Sequence, residues 1–337
     1  MTEQQMDSVK EQNGLSAADS ECVVGVDIGG TNLRLALADM NGKITARWFS
    51  STTDSRTPDD IVELIRDGVT RLLEQTSTSS GALRAIAVGA PGMTNVDEGI
   101  VMATSYLLGW RDVPLRDLLE TAFNIPAVVD NDVNLAAIGE FSAGAVKGTT
   151  DFVFLAIGTG VGAGIVLNGE PFRGTGWSAG EIGYMLVPGV PDRVPGRGEP
   201  GALESMIGGE GIKAEWQRLW TNDGTSLRRE LTASEIFDGA LRGDCLAQTL
   251  LEQTAKMLAY AIYNMSLVLN CTLFVLGGGV GVHPALVAAT QRVLEQWSGR
   301  DHLQVMCSTL GTDAQLIGAI HLALSAAHSR SHFRSAR

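Results

Sequence analysis

Val23-Val24-Gly25-Val26-Asp27-Ile28-Gly29-Gly30-Thr31, continued by Asn32-Leu33-Arg34-Leu35-Ala36-Leu37-Ala38, decides how the rest of the chain is read. The first half has the composition of a buried strand, with four β-branched residues and no charge before Asp27. Gly29-Gly30 predicts a tight turn through positive φ, where only glycine moves freely. The second half alternates apolar with polar or small residues, as an adjacent antiparallel strand does. The stretch is therefore a hairpin whose tip carries Asp27, two glycines, Thr31 and Asn32. Glycine amides and a threonine hydroxyl at such a tip suit a phosphate. Asp27 would repel a bare phosphate, so a Mg²⁺ between the two is implied. An ordinary hairpin with a Gly-Gly turn accounts equally well for this stretch alone.

The same plan returns at Phe152–Leu167, where an apolar run meets Gly158-Thr159-Gly160-Val161-Gly162 and a second apolar run follows. This internal echo predicts two lobes on one plan, each presenting a glycine tip to a polyphosphate. Between them, Ala127-Val128-Val129 reads as a short strand delivering Asp130-Asn131-Asp132-Val133-Asn134 to the start of a helix. Open α/β sheets place their chemistry at such strand ends.

Length and charge agree. At 337 residues the chain exceeds one ordinary core, and its 40 glycines exceed what helices alone accommodate. A formal net charge of −13 argues against nucleic acid as a partner. The four cysteines (Cys22, Cys245, Cys271, Cys307) lack CxxC spacing, which fits a reducing, cytoplasmic setting. No apolar run is long enough to span a membrane, and Met1–Ser20 reads as a polar flexible tail without the apolar core of a signal peptide.

The remaining pattern is mixed α/β. Ile44–Phe49 reads as a third strand, and Pro58 opens a helix ending in the Ser/Thr run Thr76–Ser80. Arg84–Ala90 is a buried strand, followed by a loop over 96–110 and a helix from Pro114 to about Phe123. Further on, Met185–Val187 looks strand-like, and helices are expected over about 202–220, 233–241 and 245–270. Thr272–Leu276 is a strand ending in Gly277-Gly278-Gly279, ahead of a helix near Pro284. A strand at 303–307 and an alanine-rich helix over 314–327 close the chain.

Taken together at these spacings, Asp27-Ile28-Gly29-Gly30-Thr31, Asp130-Asn131-Asp132-Val133-Asn134, Gly158-Thr159-Gly160-Val161-Gly162, Gly180-Glu181-Ile182-Gly183 and Gly277-Gly278-Gly279 resemble the actin-like ATPase superfamily of sugar kinases. In detail they resemble the ROK family (repressors, open reading frames and kinases), from Val23 to about Ala327. The resemblance implies a two-lobed α/β actin-like ATPase (ribonuclease H-like) fold with a ligand cleft between the lobes. The expected division is a tail over 1–21, lobes over 22–133 and 134–328, the helix near 314–327 packed back on the first lobe, and a flexible tail over 329–337.

By the same resemblance, Asp27, Gly29, Gly30, Thr31 and Asn32 would serve the phosphates of ATP and its Mg²⁺, with Asp27 the metal-facing carboxylate. Gly158, Thr159, Gly160 and Gly162 would clamp the phosphates, and Gly277, Gly278 and Gly279 would lie against the adenosine. Asn131 would bind sugar and Asp132 would be the catalytic base. Glu181 and Glu204 match glutamates that bind sugar hydroxyls, while Gly92, Gly99 and Tyr184 lie in the loops that would shape the sugar pocket. The implied activity is ATP-dependent phosphorylation of a hexose, glucose at its 6-hydroxyl by default. An N-acetylhexosamine such as N-acetylmannosamine, or a sugar-sensing regulator without catalysis, stays open. A homodimer is implied, with no nucleic-acid or membrane partner.

The chain departs from the family at one point. Where ROK kinases commonly carry a zinc-binding histidine and three cysteines, Tyr184 stands at the histidine position, Ala202 at the last cysteine position, and 188–204 holds no cysteine. A variant without structural zinc is expected, its loop held by prolines and packing.

Overall fold

The β-branched run at the start forms a wholly buried strand, β1 (Cys22–Ile28), and its continuation pairs back on it antiparallel as β2 (Asn32–Asp39). The register sets Asp27 opposite Arg34 and Ile28 opposite Leu33. The computed structural model describes residues 20–335 apart from 54–56, 105–106, 108, 192–194, 196–198, 222–223 and 298–301. The expected N-terminal tail lies almost wholly outside the described residues, as do parts of the loops over 96–110 and 188–204.

The chain continues through β3 (Ile44–Ser51), α1 (Pro58–Thr76), β4 (Leu83–Ala90), β5 (Met93–Asn95), β6 (Ile100–Ala103), β7 (Arg111–Val113), α2 (Leu115–Phe123) and β8 (Ala127–Asn131). Helix α1 begins with a capping box: the Asp60 amide donates to the Thr57 hydroxyl, and the Thr57 amide donates to the Asp60 carboxylate. Its apolar stripe, from Ile61 through Leu72, is buried. After β8 come α3 (Asp132–Ala143), β9 (Phe152–Ile157), β10 (Val161–Leu167) and β11 (Glu170–Pro171). Then follow α4 (Glu204–Ile207), α5 (Gly209–Leu219), α6 (Ala233–Leu241), α7 (Cys245–Leu269), β12 (Leu273–Gly277), α8 (Gly278–Gly281), α9 (Pro284–Trp297), β13 (Gln304–Cys307) and α10 (Ala314–Ser335).

Two compact units result. The first comprises the described part of Met1–Ala90, Val96–Asp130 and Ala319–Arg337; the second comprises Pro91–Asn95 and Asn131–Gly318. The first unit's sheet runs β3-β2-β1-β4-β8, with β4 parallel to β1. The second unit's sheet runs β11-β10-β9-β12-β13, with β10 antiparallel and β12 parallel to β9. In both, one central strand has its hairpin partner on one side and a parallel strand on the other. The echo heard in the sequence is a repeat of topology.

The second sheet is covered on both faces. Successive side chains of β9 point to opposite faces, and the packing divides accordingly. Val153, Leu155 and Ile157 join a large core with α7 and α9 residues such as Leu258, Ile262 and Leu286. Phe152 and Phe154 pack instead with Ala136 and Ala137 of α3 and with Ala314.

Several local expectations need correction. Met185–Val187 forms no strand: the Met185 amide closes the turn before it, donating to the Ile182 carbonyl at 2.9 Å. The helix expected over 202–220 breaks at Gly208, which is extended between α4 and α5. The segment read as a loop over 96–110 contains β6, paired antiparallel with β7. The last helix runs on to Ser335.

Candidate active site

In the first unit the β1–β2 tip is solvent-exposed from Gly30 to Asn32. Neither Gly29 nor Gly30 adopts a positive φ, which corrects the reason given for the turn. Glycine at 29 answers a close approach: its amide donates to the Asn32 carbonyl at 2.8 Å, and a Cβ there would lie 3.1 Å from that oxygen. The Thr52 amide donates to the Thr31 carbonyl at 3.0 Å, bracing the tip from behind.

At the foot of the tip Asp27 is buried, and Arg34 donates to its Oδ2 through Nε at 3.0 Å and Nη2 at 2.6 Å. Burial pushes the Asp27 carboxyl above the usual range, with the charge and hydrogen bond of Arg34 opposing. Among the described residues no group of three or more His, Cys, Asp or Glu side chains could hold a metal. Mg²⁺ does not need one, since one or two carboxylates plus phosphate oxygens and waters satisfy it. A single carboxylate beside an exposed tip with hydroxyl and amide donors fits that requirement.

The acidic cluster divides along the chain: Asp130 belongs to the first unit, Asn131 and Asp132 to the second. Asp130 is buried. Asn131 is the N-cap of α3: its Oδ1 accepts from the Val133 amide at 2.8 Å and the Asn134 amide at 3.1 Å, while Nδ2 donates to the Gly92 carbonyl at 2.9 Å. Gly92 has φ +91°, a conformation that favours glycine. Asp132 also engages the helix start, its Oδ1 accepting from the Val133 amide at 2.9 Å. It is the first helical residue, half-buried, where the helix dipole favours an ionised carboxylate.

Helix α3 sits directly on β10 because glycines admit it. A Cβ on Gly162 would lie 3.3 Å from Val133, and one on Gly164 would lie 2.7 Å from the Ala137 Cβ and 2.8 Å from the Val133 carbonyl. Gly164 was not singled out from the sequence; Gly162 was, as a phosphate ligand, and the structure places it beneath the first turn of α3. The start of α10 approaches α3 as closely, since a Cβ on Gly318 would lie 1.9 Å from the Leu135 carbonyl and one on Gly139 would lie 2.2 Å from the Ala314 carbonyl.

The tip Gly158–Gly160 is held by its own bond, Gly158 amide to Gly160 carbonyl at 3.0 Å, and by two from the α4–α5 corner. The Val161 amide donates to Glu204 Oε2 at 2.8 Å, and the Gly209 amide donates to the Gly158 carbonyl at 2.7 Å. Glu181 and Tyr184 belong to the same cluster. Glu181 is exposed as a residue, yet its carboxyl is closely surrounded by protein, which pushes it up, as does the like charge of Glu204. The Tyr184 hydroxyl is likewise pushed up by burial and then by Glu181 and Glu204.

The glycine run at 277–279 divides by position. A Cβ on Gly277 would strike the Phe154 ring at 2.1 Å, Gly278 has φ +78°, and a Cβ on Gly279 would meet nothing within 4 Å. Gly279 is thus the open member, its carbonyl accepting from the Ser234 hydroxyl at 3.3 Å. Gly99, in the first unit, is occupied structurally: it turns at φ +69°, and its carbonyl accepts from the Arg116 amide at 3.1 Å.

Two α/β units repeating one hairpin-and-parallel-strand topology, with glycine tips and an acidic helix start, define the class: this is the actin-like ATPase fold. A solved ROK family glucokinase from Streptomyces griseus, in complex with glucose and AMPPNP, superposes with a TM-score of 0.76 at 27% identity, covering 90% of this chain and 99% of that one. A glucokinase of Halalkalibacterium halodurans is 33% identical over 310 residues, 88% of this chain and 92% of that protein. An N-acetylmannosamine kinase of Shigella flexneri is 32% identical over 303 residues, 89% and 98% of the two chains. The ROK family model matches residues 23–326, and the chain belongs to that family.

Proposed function

We propose that the chain is an ATP-dependent hexose kinase that transfers the γ-phosphoryl group of ATP to a sugar hydroxyl, with glucose and its 6-hydroxyl as the first acceptor to test. The observation that carries this reading is the seating of α3. Its first turn presents Asp132 while Val133 packs on Gly162, two residues beyond the tip glycine Gly160. One rigid corner thus carries a proton acceptor beside amides suited to phosphate.

A sugar hydroxyl attacks phosphorus poorly until a base takes its proton as the new P–O bond forms. Asp132 is that base, and Asn131, fixed by three hydrogen bonds, orients the acceptor sugar beside it. Glu181 and Glu204 accept from sugar hydroxyls, with Tyr184 and the Gly92 turn at the pocket wall. In the second unit the amides of Gly158, Thr159 and Gly160, and in the first those of Gly29, Gly30 and Thr31 with the Thr31 and Asn32 side chains, are donors suited to phosphate oxygens. Asp27 would hold a Mg²⁺, which when bound would supply charge neutralisation on the transferring phosphoryl group. Gly279 leaves room for the adenosine.

The second reading is an N-acetylmannosamine kinase, favoured by the 32% identical relative. A coupled ADP-release assay over glucose, N-acetylmannosamine, N-acetylglucosamine, mannose, fructose and allose decides between the two; no turnover with any of them would refute the kinase reading. The proposal includes a cytoplasmic homodimer without structural zinc. Elemental analysis of protein purified without added metal should find far less than one equivalent of zinc, and stoichiometric zinc would refute that part.

A further inference from the structure

Glu204 is placed on this reading as a ligand of sugar hydroxyls, yet one of its two oxygens is already committed elsewhere. Oε2 accepts the Val161 amide at 2.8 Å, and Val161 is the residue at which the phosphate tip becomes strand β10. From the same corner, the Gly209 amide donates to the Gly158 carbonyl at 2.7 Å, at the other foot of the tip. The segment Glu204–Gly209 therefore grips Gly158-Thr159-Gly160-Val161 at both ends, once by a side chain and once by backbone.

The grip requires close approach. A Cβ on Gly208 would lie 2.7 Å from the Glu204 carbonyl and 3.0 Å from the Thr159 carbonyl, and one on Gly209 would lie 3.0 Å from the Gly158 carbonyl. A Cβ on Gly183, the neighbour of Tyr184, would lie 2.7 Å from the Val161 carbonyl and 3.3 Å from the Glu204 Cβ. Three glycines thus clear the space in which one carboxylate reaches the tip. The backbone bond at Gly209 fixes one end regardless of ligand, whereas the bond at Val161 is as firm as the Glu204 carboxylate is still.

We infer that Glu204 couples the two substrates: a sugar hydroxyl on its remaining lone pairs stills the carboxylate, which fixes the Val161 amide and with it the phosphate tip. This rests on the hexose-kinase reading and adds regulation of the same site. Because the coupling is a free energy shared by two ligands, it is reciprocal, so nucleotide must raise sugar affinity by the factor by which sugar raises nucleotide affinity. Coupled sites of this kind typically change affinity about 5- to 150-fold.

Calorimetry with Mg²⁺ and the non-hydrolysable analogue AMPPNP tests it, in the presence and absence of the hexose found to be phosphorylated. Wild type should bind AMPPNP at least about fivefold more tightly with sugar present. Glu204→Ala should bring that ratio to one, with AMPPNP affinity the same whether or not sugar is added. Glu204→Gln retains an acceptor for the Val161 amide and a group for one hydroxyl, so part of the ratio should return. A purely structural role would lower the melting temperature and both affinities together while leaving their ratio intact. A ratio of one in wild type, or one that survives in a folded Glu204→Ala protein, overturns the coupling while leaving hexose phosphorylation standing. Absence of phosphorylation with every sugar overturns the kinase reading itself.

Discussion

Glu140 is fully buried near the end of α3, and every partner it has is a donor. The Leu310 amide at 3.0 Å and the Ser308 hydroxyl bond to Oε1. The Ala145 amide at 2.7 Å bonds to Oε2, joined by the Thr309 hydroxyl at 3.4 Å and the Thr309 amide at 3.5 Å. This carboxylate is stabilised by dipoles rather than by a cation. Glu140→Gln keeps the shape but converts one oxygen into an NH₂ group. Strong backbone donors face both oxygens, so either orientation of the amide sets NH₂ against an N–H. The new NH₂ and the backbone N–H it faces are then both left without an acceptor, at about 1–3 kcal/mol for each, or roughly 2–6 kcal/mol in total. Glu140→Ala strands both sides and should cost roughly 4–6 kcal/mol, against a native stability of about 5–15 kcal/mol. Urea unfolding followed by circular dichroism measures both. A Glu140→Gln protein within about 1 kcal/mol of wild type would refute the reasoning, because it would mean the donors find other partners at little cost.

Asp132→Asn should lower kcat by roughly 10²–10⁴ while changing sugar affinity little, and a variant keeping most of its turnover would remove Asp132 as the base. Glu181 has its folded pKa raised by burial and by Glu204. Its ionisation therefore costs stability as pH rises from the unfolded value, near 4.5, through the folded one. Glu181→Gln should accordingly gain on wild type between pH 4 and pH 7, and a stability difference that is flat or falls with pH would contradict this. Gly277→Ala should destabilise by about 1–3 kcal/mol through the Phe154 ring, whereas Gly279→Ala, whose added Cβ would meet nothing within 4 Å, should melt like wild type yet bind nucleotide more weakly. Equal melting temperatures for the two would refute the division of the glycine run.

What was legible in the sequence was what local pattern controls. The β-branched run before Asp27 and the apolar runs flanking Gly158–Gly162 form the paired strands expected of them, since each is long enough to be buried and is closed by glycines. Arg34 was legible but unread: pairing Ile28 with Leu33 across the tip puts Arg34 opposite Asp27, so hairpin register alone yields the ion pair. Met185–Val187 has the composition of a strand, but the Met185 amide closes the turn before it on Ile182, which composition does not show. The glycines misled as well. Gly29 and Gly162 avoid contacts with atoms at the tip and on α3, rather than permit unusual φ. The choice of Asn131 over Asp132 as the cap turned on a single residue at the end of β8, finer than periodicity resolves. Glu140 could not be read as a structural centre at all, because most of its partners lie 168–170 residues further along the chain.

Helix α10 begins in the second unit and ends in the first, where a Cβ on Gly42 would lie 3.4 Å from Leu324. That connectivity imposes an order on biosynthesis. The second unit's chain is complete at Gly318, whereas the first unit, begun hundreds of residues earlier, still lacks the helix that packs on its β2–β3 turn. On the ribosome the unit translated first is therefore the one finished last. Its β2–β3 turn waits without that helix until residues beyond Ala319 emerge, which makes the first unit the one that a nascent-chain chaperone would hold the longer.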